Sequence, residues 1–146
     1  MADISFYHQR ADEFVNSNFT TYPISGKIYN GLTPLGFTSN RKIDFLSSFR
    51  ALELVAALDA AQSFFSKSKF SRIKISSFDL ADLLQNYLDA QTNGVIFDIK
   101  NGEAILAMLY IGYEPIKVKG SKEVFFKVTQ KEINHIIQCS VSRTGK

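Results

Sequence analysis

The chain is 146 residues long, 45% hydrophobic and 21% charged, the size and texture of one globular domain spanning 1–146. It has no apolar run near the roughly 20 residues that cross a bilayer, no basic start of a secretory leader at Met1–Ser5, and in Cys139 a single cysteine, which excludes an intrachain disulfide. A cytoplasmic protein with no membrane partner is expected. The net charge of +3 is uneven: residues 41–75 and 106–146 each carry seven basic against three acidic side chains, whereas 76–105 carry one against five. That distribution predicts a positive and a negative face, which would steer a polyanion to one side.

In chain order, Ile4, Tyr7, Ala11, Phe14 and Val15 predict a first helix over 3–17. Residues 16–40 hold Pro23 and Pro34 with Gly26, Gly31 and Gly36, the texture of a loop with a short hairpin around 27–29 and 35–38. From 41 to 66, Leu46, Phe49, Leu54, Val55, Leu58, Ala61 and Phe65 recur at helical spacing. A strand over 72–76 leads into a helix at 78–90, with Ser76 and Asp79 at capping distance and Gly94 past its end.

A second strand is expected at 95–99, then a turn at Asn101-Gly102 and a helix over 103–111 closed by Gly112. Residues 114–119 and 123–129 read as a hairpin, and Thr129-Gln130-Lys131-Glu132 as a capping box for a last helix to Cys139. The fold class is α+β, a small mixed or antiparallel sheet with helices mainly on one face in the order ααβαβαββα. Residues 1–66 form the helical half, 67–139 the βαβαββα half, and 140–146 a flexible tail.

Hairpin register decides which side chains share a face. A two-residue loop would set Lys117 opposite Val124 and mix polar with apolar. A three-residue loop, Gly120-Ser121-Lys122, pairs Val118 with Val124 and Lys119 with Glu123. It places Ile116, Val118, Val124, Phe126 and Val128 on one face and Lys117, Lys119, Glu123, Phe125 and Lys127 on the other. The strand at 72–76 repeats the pattern, with Arg72 and Lys74 opposite in direction to Ile73 and Ile75, and Phe70 in step with them if the strand begins early. Cations for phosphates beside a ring for bases is the chemistry of a single-strand nucleic-acid platform, with Arg72, Lys74, Lys117, Lys119, Phe125 and Lys127 as contacts and Arg41 and Lys42 nearby.

The residues for catalysis or metal binding are sparse. His8 reads as solvated, and His135 with Cys139, four apart on the last helix, lacks the two further ligands zinc would need. No P-loop, dinucleotide fingerprint or nucleophile elbow occurs. Asp79 with Asp82 on one helix face, and Asp98 near Glu103 across a tight turn, form acidic pairs that could make a paired-carboxylate site. No ligand accompanies them, and Asp79 and Glu103 sit in first helical turns, where acidic residues complement the dipole. No metal or other cofactor is expected, and the inventory disfavours an enzyme. A second reading is a small protein-binding inhibitor or adaptor, of the type mobile elements encode, acting through residues 19–37 with Tyr22, Tyr29 and Phe37 as contacts.

Overall fold

The computed structural model describes Gln9 and residues 32–33, 36–37, 50–66, 68, 70–118 and 120–142. Two short strands, β1 (Leu32–Thr33) and β2 (Gly36–Phe37), come first, followed by α1 (Ala51–Phe64), β3 (Ile73–Ser76) and α2 (Ser77–Gln91). Then come α3 (Asn101–Tyr110), β4 (Ile116–Lys117), β5 (Val124–Val128) and α4 (Gln130–Ser142). The class is α+β: the described residues form four helices and an antiparallel three-stranded sheet in the order β3-β5-β4, with β1 and β2 as a separate pair. Of the expected helix at 3–17 only Gln9 is described, and it is helical; the rest of that helix, the hairpin arm at 27–29 and residues 41–49 lie outside the described residues. In the hairpin that is described, Leu32 opposes Phe37 and Thr33 opposes Gly36, and β2 lies against α3.

Local chemistry explains the helix boundaries. The Ser76 hydroxyl accepts from the Asp79 amide at 3.1 Å, satisfying one of the orphan donors at the start of α2. Past its end Asn93 and Gly94 take left-handed conformations, φ 53° and 85°, and the Gly94 amide reaches back to the Asp89 carbonyl. Gly112, φ 102°, closes α3: its amide donates to the Leu109 carbonyl and that of Tyr113 to Met108, a Schellman pair. At α4 the box is reciprocal, Glu132 N–H to Thr129 Oγ1 at 3.1 Å and Thr129 N–H to Glu132 Oε1 at 3.0 Å. The other oxygen of Glu132 accepts from the Ser66 amide and so ties α4 to the chain leaving α1. With that start secured, α4 runs on to Ser142, past the expected end at Cys139.

Of the helices, α2 packs on the sheet, against β3 and β5, and the other helices pack around α2. Apolar side chains nearly surround α1, where Leu54 to Leu58, Ala60 and Ala61 are all buried, and in α3 every residue from Asn101 to Leu109 is buried. These two helices pack on each other, and α2 touches α1, α3, α4 and the strands β3 and β5. Val124, Phe126 and Val128 of β5, with Ile75 of β3, close the core from the sheet side. The Ser77 hydroxyl, at the start of α2, accepts from the Val124 amide at 3.0 Å and joins the two layers.

Two expectations fail. In residues 95–99 Ile96 and Ile99 are buried and Val95 and Phe97 exposed, a spacing of three that breaks strand alternation, and the segment joins no sheet. Side chains occupy their backbone instead: Thr92 Oγ1 accepts from the Ile96 amide, Gln85 Oε1 from the Ile99 amide, and Arg50 donates to the Asp98 carbonyl. The helix that follows starts at Asn101, so Asn101 and Gly102 are its first turn and not a turn before it.

The hairpin register is the second failure. Ile116 pairs with Phe125 and Lys117 with Val124, the register that mixes polar with apolar, and the ladder stops there. Segregation of faces presumed two strands covered equally. Only β5 is covered; β4 is a two-residue edge, so Val118 is 42% exposed while Val124 is 1% exposed. The loop backbone is satisfied locally, by Ser121 N–H to Val118 O, Glu123 N–H to Ser121 Oγ and the Asn101 side-chain amide on Lys122 O. Denaturant unfolding of Val118→Ala and Val124→Ala checks this directly: the first is expected within about 0.5 kcal/mol of the parent, the second destabilised by about 1.5 kcal/mol or more.

Candidate functional site

Pairing of β3 with β5 builds the outer face of the sheet. Lys74 stands directly opposite Lys127, Ser76 opposite Phe125, Ile75 opposite Phe126 and Ile73 opposite Val128. Because side chains alternate, burial of Ile75, Phe126 and Val128 under the helices turns Lys74, Lys127 and Phe125 outward, with Arg72 in step two residues before Lys74. Arg72, Lys74 and Lys127 are exposed, and Phe125 and its neighbour Ile116 are half-buried. Four of the six expected contacts thus share one face.

The others do not join them. Lys117 pairs with Val124 and belongs to the helix-side face at the exposed edge, and Lys119 lies outside the described residues. Phe70 is exposed but precedes the strand in a turn, its amide donating to Ser68 Oγ, so it is not in step with Lys74. Arg41, Lys42, Tyr22 and Tyr29 lie outside the described residues. Phe37 is placed only as the β2 residue opposite Leu32.

Like charges directly across a ladder destabilise it, and among the described residues neither Lys74, Lys127 nor Arg72 has an acidic ion-pair partner. Next to this face, beyond the end of the short β4 ladder, is a half-open cleft of about 500 Å³ lined by Ser68, Ser71, Tyr113, Glu114, Pro115, Ile116 and Lys127. Tyr113 is 3% exposed, its ring set edge-on to Phe126, and among the described residues its hydroxyl has no hydrogen-bond partner. Burial pushes that hydroxyl from 10.0 up to about 12 and the Glu132 carboxylate adds to the shift. Ser71 sits close enough to favour the phenolate, though not in hydrogen-bonding geometry with it. Sequence reasoning missed this cleft, because Ser68, Ser71 and Tyr113 are brought together only by the chain's departure from the sheet.

Asp98 and Glu103 each meet the cation of Arg50. Glu103 is fully buried and holds the Arg50 guanidinium in a two-point grip, Nε to Oε2 at 3.0 Å and Nη2 to Oε1 at 2.7 Å. Asp98 and Glu53 complete the ring around Arg50, and Asp98 also meets Lys100. The hydrogen bond to Glu103 is the main cause that raises the Arg50 pKa, against the desolvation that lowers it. His135 is exposed with its ring edge-on to Phe64, Cys139 packs half-buried against the core, and no cluster suited to a metal occurs among the described residues. None of the described helices is long and apolar enough to cross a membrane.

The chain matches no protein-family model, no curated protein and no solved structure.

Two measurements check the electrostatics. Arg50→Ala strands the buried Glu103 charge and is expected to cost about 3 kcal/mol, the low end for a buried pair because Arg50 is a third exposed; Arg50→Met with Glu103→Leu should recover much of the loss. Tyr113 keeps its proton in the folded state to about pH 12 but loses it near 10.0 once unfolded. Folded Tyr113 therefore binds the extra proton between those values, and stability falls as pH rises through that window. Tyr113→Phe is expected to flatten that fall and to raise stability at neutral pH by about 1 kcal/mol, the cost of the unsatisfied hydroxyl.

Proposed function

We propose that the chain is a non-enzymatic binding protein for single-stranded nucleic acid, which it engages through Arg72, Lys74, Lys127 and Phe125 on the outer face of the sheet. The observation that carries this reading is the Lys74–Lys127 pair, held in register across β3 and β5 without an acidic partner among the described residues. Such a pair costs stability in the free protein, and a phosphate between the two ammonium groups removes the repulsion. Phe125, on the central strand beside Ile116, adds an apolar ring surface on which a base can stack. Helical recognition of a duplex groove would instead call for a basic helix, and α2 carries Asp79, Asp82 and Asp89 with no lysine or arginine.

Fluorescence anisotropy with a labelled single-stranded oligonucleotide, across a salt series from ~50 mM, tests it. Lys74→Ala and Lys127→Ala are each expected to weaken binding of every sequence and to lower the salt slope by roughly 0.7. Phe125→Ala should weaken binding by about 1–3 kcal/mol with the slope unchanged, since stacking releases no counterions. Lys117→Ala, on the opposite face, should leave both unchanged. Absence of binding at ~50 mM salt and micromolar protein rejects the proposal.

A further inference from the structure

The cleft at the end of the β4 ladder carries chemistry that the flat face does not use. Beyond the Ile116–Phe125 pair the chain from Tyr113 to Pro115 leaves β5, and Lys127, which would have been its next outward neighbour, lines the gap instead. At about 500 Å³ the gap lies within the range of small-ligand pockets.

Its polar groups are incompletely used. A buried hydroxyl without a partner is rare in a folded protein and demands a cause, and the Tyr113 hydroxyl is one. Ser68 Oγ accepts from the Phe70 amide and Ser71 Oγ from the Ser68 amide, and the two oxygens lie 3.4 Å apart. Only one hydroxyl hydrogen can lie between them, so the second serine hydrogen is directed elsewhere. The cleft thus offers a spare donor beside the unsatisfied Tyr113 hydroxyl, apolar surface on Pro115 and Ile116, and a cation on Lys127.

We infer that this cleft receives a single nucleobase, with the edge of the base hydrogen-bonded by the Tyr113 and Ser71 hydroxyls, its face against Pro115 and Ile116, and its phosphate at Lys127. The inference rests on the nucleic-acid reading of the adjoining face, because Lys127 and Ile116 belong to both. A hydrocarbon ligand would leave the hydroxyls unsatisfied, and a bare inorganic anion would meet the Glu114 carboxylate in the wall. A base has both a flat apolar face and an edge of donors and acceptors, and it arrives with a phosphate. The source is a free mononucleotide or one residue of a bound strand.

The test compares the full chain with Tyr113→Phe, which keeps the ring on Phe126 and removes only the hydroxyl. Each is titrated with a labelled short single strand, with the same strand made abasic, and with the four ribonucleoside monophosphates. The parent is expected to bind the intact strand at least ~5-fold more tightly than the abasic one. Tyr113→Phe should lose about 5-fold on the intact strand and nothing on the abasic one, while its melting temperature is unchanged or raised. Monophosphate binding that also falls in Tyr113→Phe assigns the free nucleotide as a ligand; strand binding without it assigns a nucleotide of the strand. If strands bind but Tyr113→Phe leaves intact and abasic affinities alike, the cleft assignment is overturned and the outer-face reading stands. If neither strands nor monophosphates bind, both are overturned.

Discussion

The side chains of β5 alternate between a layer of helices and the outer face, and neither side can be altered without moving the other. Val124, Phe126 and Val128 are buried beneath α2 and its neighbours, which obliges Phe125 and Lys127 to face outward. A slip of one residue would bury Lys127 and expose the ring of Phe126, so the core holds the basic face in register. β3 follows from the same constraint. Burying Ile75 against Phe126 sets Lys74 opposite Lys127, and the electrostatic cost of that pair is borne by the hydrophobic contacts behind it.

The helical layer is joined by polar groups that each serve two elements. Arg50, just before α1, grips Glu103 in the first turn of α3 and the Asp98 carbonyl of the segment before it. Glu103 Oε1 also accepts the Lys100 amide, so one buried carboxylate caps α3 and anchors α1. Glu132 does the same at α4, accepting the Thr129 amide of its own helix and the Ser66 amide of the chain leaving α1. Acidic side chains at helix starts are commonly read as dipole complements; here they are also the joints between helices.

Much of this was legible in the sequence, and the rest was hidden for identifiable reasons. Ser76 with Asp79, Thr129 with Glu132, and Gly112 are local signals acting within a few residues, and the structure uses them as such. The outward grouping of Arg72, Lys74, Phe125 and Lys127 follows from strand alternation, which is also local. What failed needed knowledge of distant partners. Residues 95–99 read as a strand because Val95, Ile96, Phe97 and Ile99 are apolar between turn residues, yet Thr92, Gln85 and Arg50 supply the hydrogen bonds a ladder would have made. Lys117 was misplaced because segregation of faces carries no information about an edge strand that little covers. The cleft around Tyr113 was invisible because it exists only where a ladder ends.

The proposed binding surface is the outer face of β3 and β5. The most direct measurement is a map of backbone amide shifts in an isotopically labelled sample titrated with a short single-stranded oligonucleotide at low salt. Changes are expected to concentrate on residues 72–76, 116 and 125–127, with residues 68–71 and 113–114 at the adjoining cleft. Changes concentrated on α1 or α4 with β3 and β5 unmoved, or no changes at all, would contradict that assignment.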